Sequence, residues 1–363
     1  MTAPGNVQWL ASLSPWPDEF GLERIRALLT DLGDPQRRFP AIHVVGTNGK
    51  TSTTLLAATL LRAEGARVGA YVSPHVRSFS ERIQIDGAEV DVERALARVR
   101  PHAEGATQFE VLTAAAYAEF AAEEVDIAVV EAGLGGRHDA TNVLDAGVIV
   151  LTNVSLEHTA VLGETREEIA DEKLAVVTPG AVVILGEPEW EEAARANGAA
   201  RVHVVSDSNL ELAAVATEAC LDRRIDRHPA ETLRIPGRLE RRADRPLEIW
   251  DGAHNLAGIR YLLPRLPSRR YTIVASILAD KDVDGMLSAL STVGDTLVAT
   301  CSSNARALPP KRLAERANRY FGTVETAPAP NQALVSARAL AGREGAVLVT
   351  GSLYLLADLF SDT

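Results

Sequence analysis

The sequence predicts an α/β protein in two parts: a P-loop parallel-sheet domain over residues 1–237, then a smaller Rossmann-like α/β domain over residues 238–363. Three observations carry this. The apolar run Ile42 to Val45 breaks into the turn Gly46-Thr47-Asn48-Gly49-Lys50-Thr51-Ser52 and then into a helix-forming segment. Strand-length apolar runs and helical patterns alternate after it, the order that builds βαβ units on a parallel sheet. The alternation is interrupted around Leu233-Arg234-Ile235-Pro236-Gly237-Arg238 by Pro, Gly and arginines, after which a fresh series begins.

Taken in order, Leu22, Ile25, Leu28, Leu29 and Leu32 recur at helical spacing and Gly33 stands at the C-cap. A helix follows the glycine turn to about Glu64, then a strand from Val68 to Val72 ending at Ser73-Pro74-His75. Glu81 to Gly87 alternates polar with apolar and closes on Asp-Gly, which reads as a hairpin arm. Helical patterns cover Asp91–Ala103 and Phe109–Glu124, and the buried strand Val125–Val130 runs into the glycine-rich Glu131 to Arg137. A strand near Gly147–Thr152, a helix near Thr165–Val177, a strand at Ala181–Leu185 and weaker units to Leu221 complete the first part. The second part has strands near Leu247–Trp250, Tyr271–Ala275, Asp295–Ala299 and Ala346–Thr350, with helices between them.

Composition narrows the chemistry. A formal charge of −12 over 363 residues excludes a broad nucleic-acid surface, so any phosphate must be met by local positive groups. Cys220 and Cys301 lack metal-ligand spacing and a disulfide framework, which fits a reduced cytoplasm. No window has the length and apolarity of a membrane span, and no basic start precedes an apolar core at the N-terminus.

The glycine turn is a phosphate loop. Gly46 and Gly49 let successive backbone N–H groups converge at a helix N-terminus, Lys50 adds a full charge, and the Thr51 hydroxyl is placed to hold magnesium. The pattern is Gly-x-x-Gly-Lys-Thr alone, because Val44 stands where the full eight-residue motif has glycine. Glu131, at a strand end before a second glycine loop, is a further candidate magnesium ligand.

Together the motifs resemble the folylpolyglutamate synthase/dihydrofolate synthase family of the Mur ligase superfamily. The resemblance rests on Phe20-Gly21-Leu22-Glu23-Arg24-Ile25, the phosphate loop, Ser73-Pro74-His75 with Glu81-Arg82-Ile83, and Phe109-Glu110-x-x-Thr113. It continues through Glu131-x-Gly-Leu-Gly-Gly-Arg137-x-Asp139-Ala-Thr141-Asn142, Glu172-Lys173, Pro236-Gly-Arg238, Asp251-Gly-Ala-His254-Asn255 and Ala279-Asp280-Lys281-Asp282, all in family order. Thr51 stands where the folate enzymes usually carry Gly, and the chain is shorter than typical members, the loss falling between Val205 and Asn209.

The resemblance implies an ATP-dependent amide ligase that adds L-glutamate to dihydropteroate, to a (tetrahydro)folate, or to both, through an acyl phosphate. It implies a P-loop ATPase first domain, with ATP bound by Gly46, Thr47, Asn48, Gly49, Lys50, Thr51, Ser52, Asn209, Arg238, Asp251 and Asn255. Two magnesium ions would be held by Thr51, Ser73, Glu131, His158 and Lys173, the last as a carbamate. Lys50, Lys173 and His254 would be catalytic, and Arg137, Asp139, Thr141, Asn142 and Arg306 would bind substrate, with Thr113 and Lys281 as weaker candidates. A cytoplasmic monomer with small-molecule partners, away from nucleic acid and membrane, is expected. The competing readings are a Mur-type ligase for another carboxylate and a P-loop nucleotide-binding regulator.

Overall fold

The computed structural model describes residues 5–205 and 208–361, and the chain divides into two compact units, Met1–Leu233 and Arg234–Thr363. The segment the sequence reading marks as shortened includes Ser206 and Asp207, which lie outside the described residues.

The first unit is built on eight strands: β1 Ala41–Val45, β2 Val68–Tyr71, β3 Ile83–Ile85, β4 Ala88–Glu89, β5 Ile127–Glu131, β6 Val148–Leu151, β7 Val182–Leu185 and β8 Arg201–Val204. Their order is β4-β3-β2-β5-β1-β6-β7-β8. β1 lies between β5 and β6 and is parallel to both, while β3 and β4 form an antiparallel hairpin at one edge. Every residue of β1, β2, β5, β6 and β7 is buried. Such continuous burial suits a parallel sheet covered on both faces. Ile42 and Val44 pack with Leu60 and Leu212 on one face, and Ala41 and Val45 pack with Ala115 and Tyr117 on the other. His43 has the parity of this second face.

This topology gathers the C-terminal ends of β1, β2, β5 and β6 along one edge, where Gly46, Ser73, Glu131 and Thr152 stand. Ligands collect at that edge in open α/β sheets.

The second unit carries β9 Glu240–Asp244, β10 Leu247–Trp250, β11 Tyr271–Ala275, β12 Thr296–Ala299, β13 Thr323–Thr326 and β14 Ala346–Thr350, ordered β13-β12-β11-β14-β10-β9. Its strands are parallel except β9.

Three details differ from the sequence reading. β8, β9 and β13 are largely exposed edge strands, so their polar residues give no apolar run to recognise. The expected helix Asp91–Ala103 ends at Val99 and tightens into a 3-10 turn at Arg100–His102, where Pro101 has no N–H to continue the ladder. Glu81 and Arg82 belong to a 3-10 turn rather than to the hairpin arm, which starts at Ile83.

Candidate active site

The phosphate loop is braced by the residues after β6. Thr47 N–H donates to Asn153 O at 2.9 Å and Asn48 N–H to Asn153 Oδ1 at 3.0 Å, while Thr152 Oγ1 and Asn153 Nδ2 donate to Asn48 O at 2.7 and 3.0 Å. Gly46 and Gly49 are required here. Both have positive φ, and a Cβ at Gly46 would come within 1.8 Å of Thr152 Oγ1, one at Gly49 within 2.4 Å of Asn209 Oδ1. Asn209 therefore lies against the loop it is expected to serve. Thr152-Asn153-Val154-Ser155 was missed by motif reading; its signal is a polar run immediately after the apolar β6.

The helix Lys50–Ala63 starts at this loop with no side chain capping its first turn, and Ser52 lies in that turn. Lys50 Nζ bends back to Gly46 O at 3.1 Å and Thr47 O at 3.3 Å. Uncapped N–H groups beside an ammonium make an anion cradle.

Next to it the structure brings together three of the expected metal ligands. Thr51 Oγ1 donates to Glu131 Oε1 at 3.0 Å, and Ser73 N–H donates to Glu131 Oε2 at 2.9 Å. Glu131 is only 1% exposed, so this is no solvated loop carboxylate. The Thr51 hydroxyl and the Glu131 carboxylate are hard oxygens of the kind magnesium prefers, and Ser73 meets the carboxylate here through its backbone N–H. His158 is exposed, in the left-handed region, at the start of Thr159–Leu162. Among the described residues no three His, Cys, Asp or Glu side chains assemble into a ready-made metal cluster.

Lys173 is no solvated surface lysine. It is 3% exposed on the helix Arg166–Leu174, and its Nζ donates to Gly46 O at 2.9 Å. Burial and then the charge of Lys50 lower its pKa to about 7, so a neutral amine is accessible there. Neutrality is what addition of carbon dioxide requires.

The loop from Gly133 to Asn142 is tied to itself. Asp139 accepts from Leu134 N–H at 2.7 Å, Thr141 N–H at 3.0 Å and Thr141 Oγ1 at 2.5 Å; burial raises its pKa and these bonds oppose the rise. Arg137 pairs with Asp171 and Glu172, and Asn142 Nδ2 donates to Arg137 O at 3.0 Å. Thr141 is fully buried, its hydroxyl set between Asp139 and His43, which removes it from direct substrate contact. Thr113 is likewise buried, bonded to Tyr71 Oη and Phe109 O.

Two further motifs prove to be braces. Arg24 donates to both oxygens of Glu110, and Glu81 accepts from Val76 N–H, Arg77 N–H and Arg77 Nε. Arg82 Nε donates to His75 Nδ1 at 3.0 Å, and burial lowers the His75 pKa to about 4, which keeps that nitrogen an acceptor.

In the second unit, Asp251 accepts from Leu239 N–H at 2.7 Å and Ala253 N–H at 2.8 Å, and Arg238 donates to Gly237 O. Burial raises the Asp251 pKa against the Arg238 charge, which lowers it. His254 Nδ1 lies 2.9 Å from Gly252 O, and Asn255 Oδ1 caps the helix Leu256–Leu262 through Gly258 N–H. Arg306 is exposed, 3.7 Å from Asp280, which also pairs with Lys281. The strand ends hold hydroxyls no motif announced: Ser276, Thr300, Ser302, Thr350 and Ser352 are all buried. Among the described residues Thr300 Oγ1 and Ser302 Oγ have no hydrogen-bond partner.

Residues 44–223 match the Mur ligase middle domain, and residues 237–353 match the Mur ligase glutamate ligase domain. A dihydrofolate synthase/folylpolyglutamate synthase of Mycobacterium tuberculosis is 34% identical over 389 aligned positions, covering 85% of this chain and 80% of that protein. The chain belongs to the folylpolyglutamate synthase/dihydrofolate synthase family. Members are ATP-dependent acid–amino-acid ligases, and this chain is one. That alignment is longer than the 363 residues here, so the relative carries segments this chain lacks. Solved structures agree: Escherichia coli FolC in complex with DHPP and ADP matches at TM-score 0.89 with 28% identity, covering 99% of this chain and 98% of that one. A bifunctional family member with Mn, AMPPNP and L-glutamate bound matches at TM-score 0.87 with 28% identity, over 99% and 98% of the two chains. Among the described residues no helix is long and apolar enough to cross a membrane.

Proposed function

We propose that this ligase adds L-glutamate to the carboxylate of dihydropteroate or of a folate, with ATP and magnesium, as a monomer in the cytoplasm. The observation that supports it most is the meeting of Thr51, Ser73 and Glu131 beside the Lys50 loop. A carboxylate is a poor electrophile whose oxygen leaves badly; phosphorylation by the γ-phosphoryl group cures both faults. Lys50 and the loop N–H groups bind the β- and γ-phosphates and steady their charge during transfer. Thr51, Ser73 and Glu131 would hold magnesium, with His158 and a Lys173 carbamate as further ligands, and the ion would supply neutralisation of the phosphate charge.

The acceptor side rests on similarity to a protein that binds DHPP, and the amino acid on similarity to one that binds L-glutamate. We assign the acceptor to the Gly133–Asn142 loop, whose internal bonds present a rigid surface. For the glutamate carboxylate the candidate clamp is Arg306, exposed beside Asp280. The test is to incubate the protein with ATP, magnesium and glutamate, separately with dihydropteroate, tetrahydrofolate and a muramoyl precursor. Mass spectrometry should find a glutamyl product with a pterin acceptor. Product only with the muramoyl precursor, or ATP turnover indifferent to glutamate, would overturn the reading.

A further inference from the structure

His43 sits in the middle of β1, three residues before the phosphate loop, and is 1% exposed. A buried imidazole in an apolar strand calls for a polar partner. Its Nε2 lies 2.8 Å from Thr141 Oγ1, which lies 2.5 Å from Asp139 Oδ1. Tyr117 Oη donates to Thr141 O at 3.4 Å, and Leu134 N–H closes on Asp139 Oδ2. One polar chain thus runs from the phosphate-loop strand to the loop assigned to the acceptor.

The direction of its protons follows from its acceptors. Backbone N–H groups donate to both Asp139 oxygens, Leu134 to Oδ2 and Thr141 to Oδ1, and these bonds favour the ionised carboxylate against the rise in pKa that burial imposes. Thr141 therefore spends its only proton on Asp139, and its lone pair must receive one from His43. The ring is held as the Nε2–H tautomer, and burial lowers its pKa to about 4, which keeps it neutral at physiological pH.

We infer that His43 is a positioning residue for the acceptor: through Thr141 and Asp139 it fixes the Gly133–Asn142 loop relative to the phosphate loop, so the carboxylate meets the γ-phosphate in register. This rests on the assignment of that loop to the acceptor. His43 touches no reactant, and its loss should fall on acceptor binding while nucleotide binding persists.

The experiment uses the full chain with His43→Leu, which removes the donor, and His43→Gln, whose amide can donate to Thr141 Oγ1. Acceptor KM should rise about fivefold to tenfold in His43→Leu, the worth of one hydrogen bond, and largely recover in His43→Gln, with KM for ATP unchanged in both. A merely structural histidine would move both constants together or neither, and either outcome overturns the inference. Long-range nitrogen-15 NMR of the wild-type histidines decides independently of either variant's folding. An Nε2–H ring is expected at neutral pH, and an Nδ1–H or doubly protonated ring contradicts the chain. If the wild type ligates no pterin acceptor, the functional reading fails while the tautomer result still stands.

Discussion

Thr51 Oγ1 donates to Glu131 Oε1 across 3.0 Å, joining the first turn of the phosphate-loop helix to the end of β5. The two residues stand 80 positions apart in the chain, and only the adjacency of β1 and β5 brings them together. Glu131 is the buried negative charge of this edge, so its replacement should fall first on the metal. Glu131→Gln keeps the shape and removes the charge. The magnesium concentration for half-maximal activity should rise at least about tenfold, read from metal titrations at saturating ATP. An unchanged titration would place the metal elsewhere.

Lys50 is the only side-chain cation of the phosphate loop, and its Nζ rests on the carbonyls of Gly46 and Thr47. Lys50→Met should lower ATP turnover by about 10²–10³-fold while leaving the melting temperature near that of the wild type. Phosphate release and calorimetry on the same preparation separate catalytic from structural loss.

Lys173 gives the pH dependence a sign. Burial lowers its pKa to about 7 in the folded chain against 10.5 for a free lysine, so between those values the unfolded chain binds the extra proton and stability rises with pH. Below about pH 7 the penalty for the buried charge is fully present. In buffer freed of carbon dioxide, where the amine is unmodified, the melting temperature of the wild type, taken relative to Lys173→Met, should climb between about pH 7 and pH 9. A flat difference would mean the lysine is not a buried base.

The same residue carries the carbamate proposal. Lys173→Ala should abolish turnover, and carbon-13 NMR of active protein supplied with labelled bicarbonate should show a carbamate resonance. Full activity with an unmodified lysine would dispose of that assignment.

Glu119 tests a structural pair instead. Its side chain is 0% exposed and is held by Arg94 and Arg98, each at 2.8 Å, from a neighbouring helix. Removing both arginines leaves a buried carboxylate unpaired, and urea denaturation should record a loss of about 2–3 kcal/mol. Activity at low denaturant should survive, since neither arginine belongs to the phosphate-loop edge.

Much of this arrangement was legible in the chain itself, for identifiable reasons. Val148–Leu151 is apolar throughout, and Ile42–Val45 is apolar except at His43, because parallel strands are buried on both faces, so their positions and the loops at their ends could be read directly. Glu131 was legible as a strand-end carboxylate before glycines. The burial of Lys173 was not: the helix Arg166–Leu174 is rich in charge, and nothing local marks that its one lysine turns inward. His43 was passed over because one polar residue in an apolar strand carries no pattern, and its partner Thr141 lies 98 residues away. Thr141 and Thr113 were motif residues expected at the substrate, yet their hydroxyls hold the scaffold. Motif spacing reports that a residue matters and leaves open whether it touches ligand or loop.

The central claim is that a carboxylate is activated by phosphoryl transfer at the Lys50 loop before an amine captures it. The most direct measurement supplies acceptor labelled with oxygen-18 in its carboxylate, together with ATP, magnesium and L-glutamate, and analyses the released inorganic phosphate. One labelled oxygen should appear in phosphate for each glutamyl bond formed, with ADP as the other product. Unlabelled phosphate accompanying product, or AMP and pyrophosphate in its place, would contradict the account.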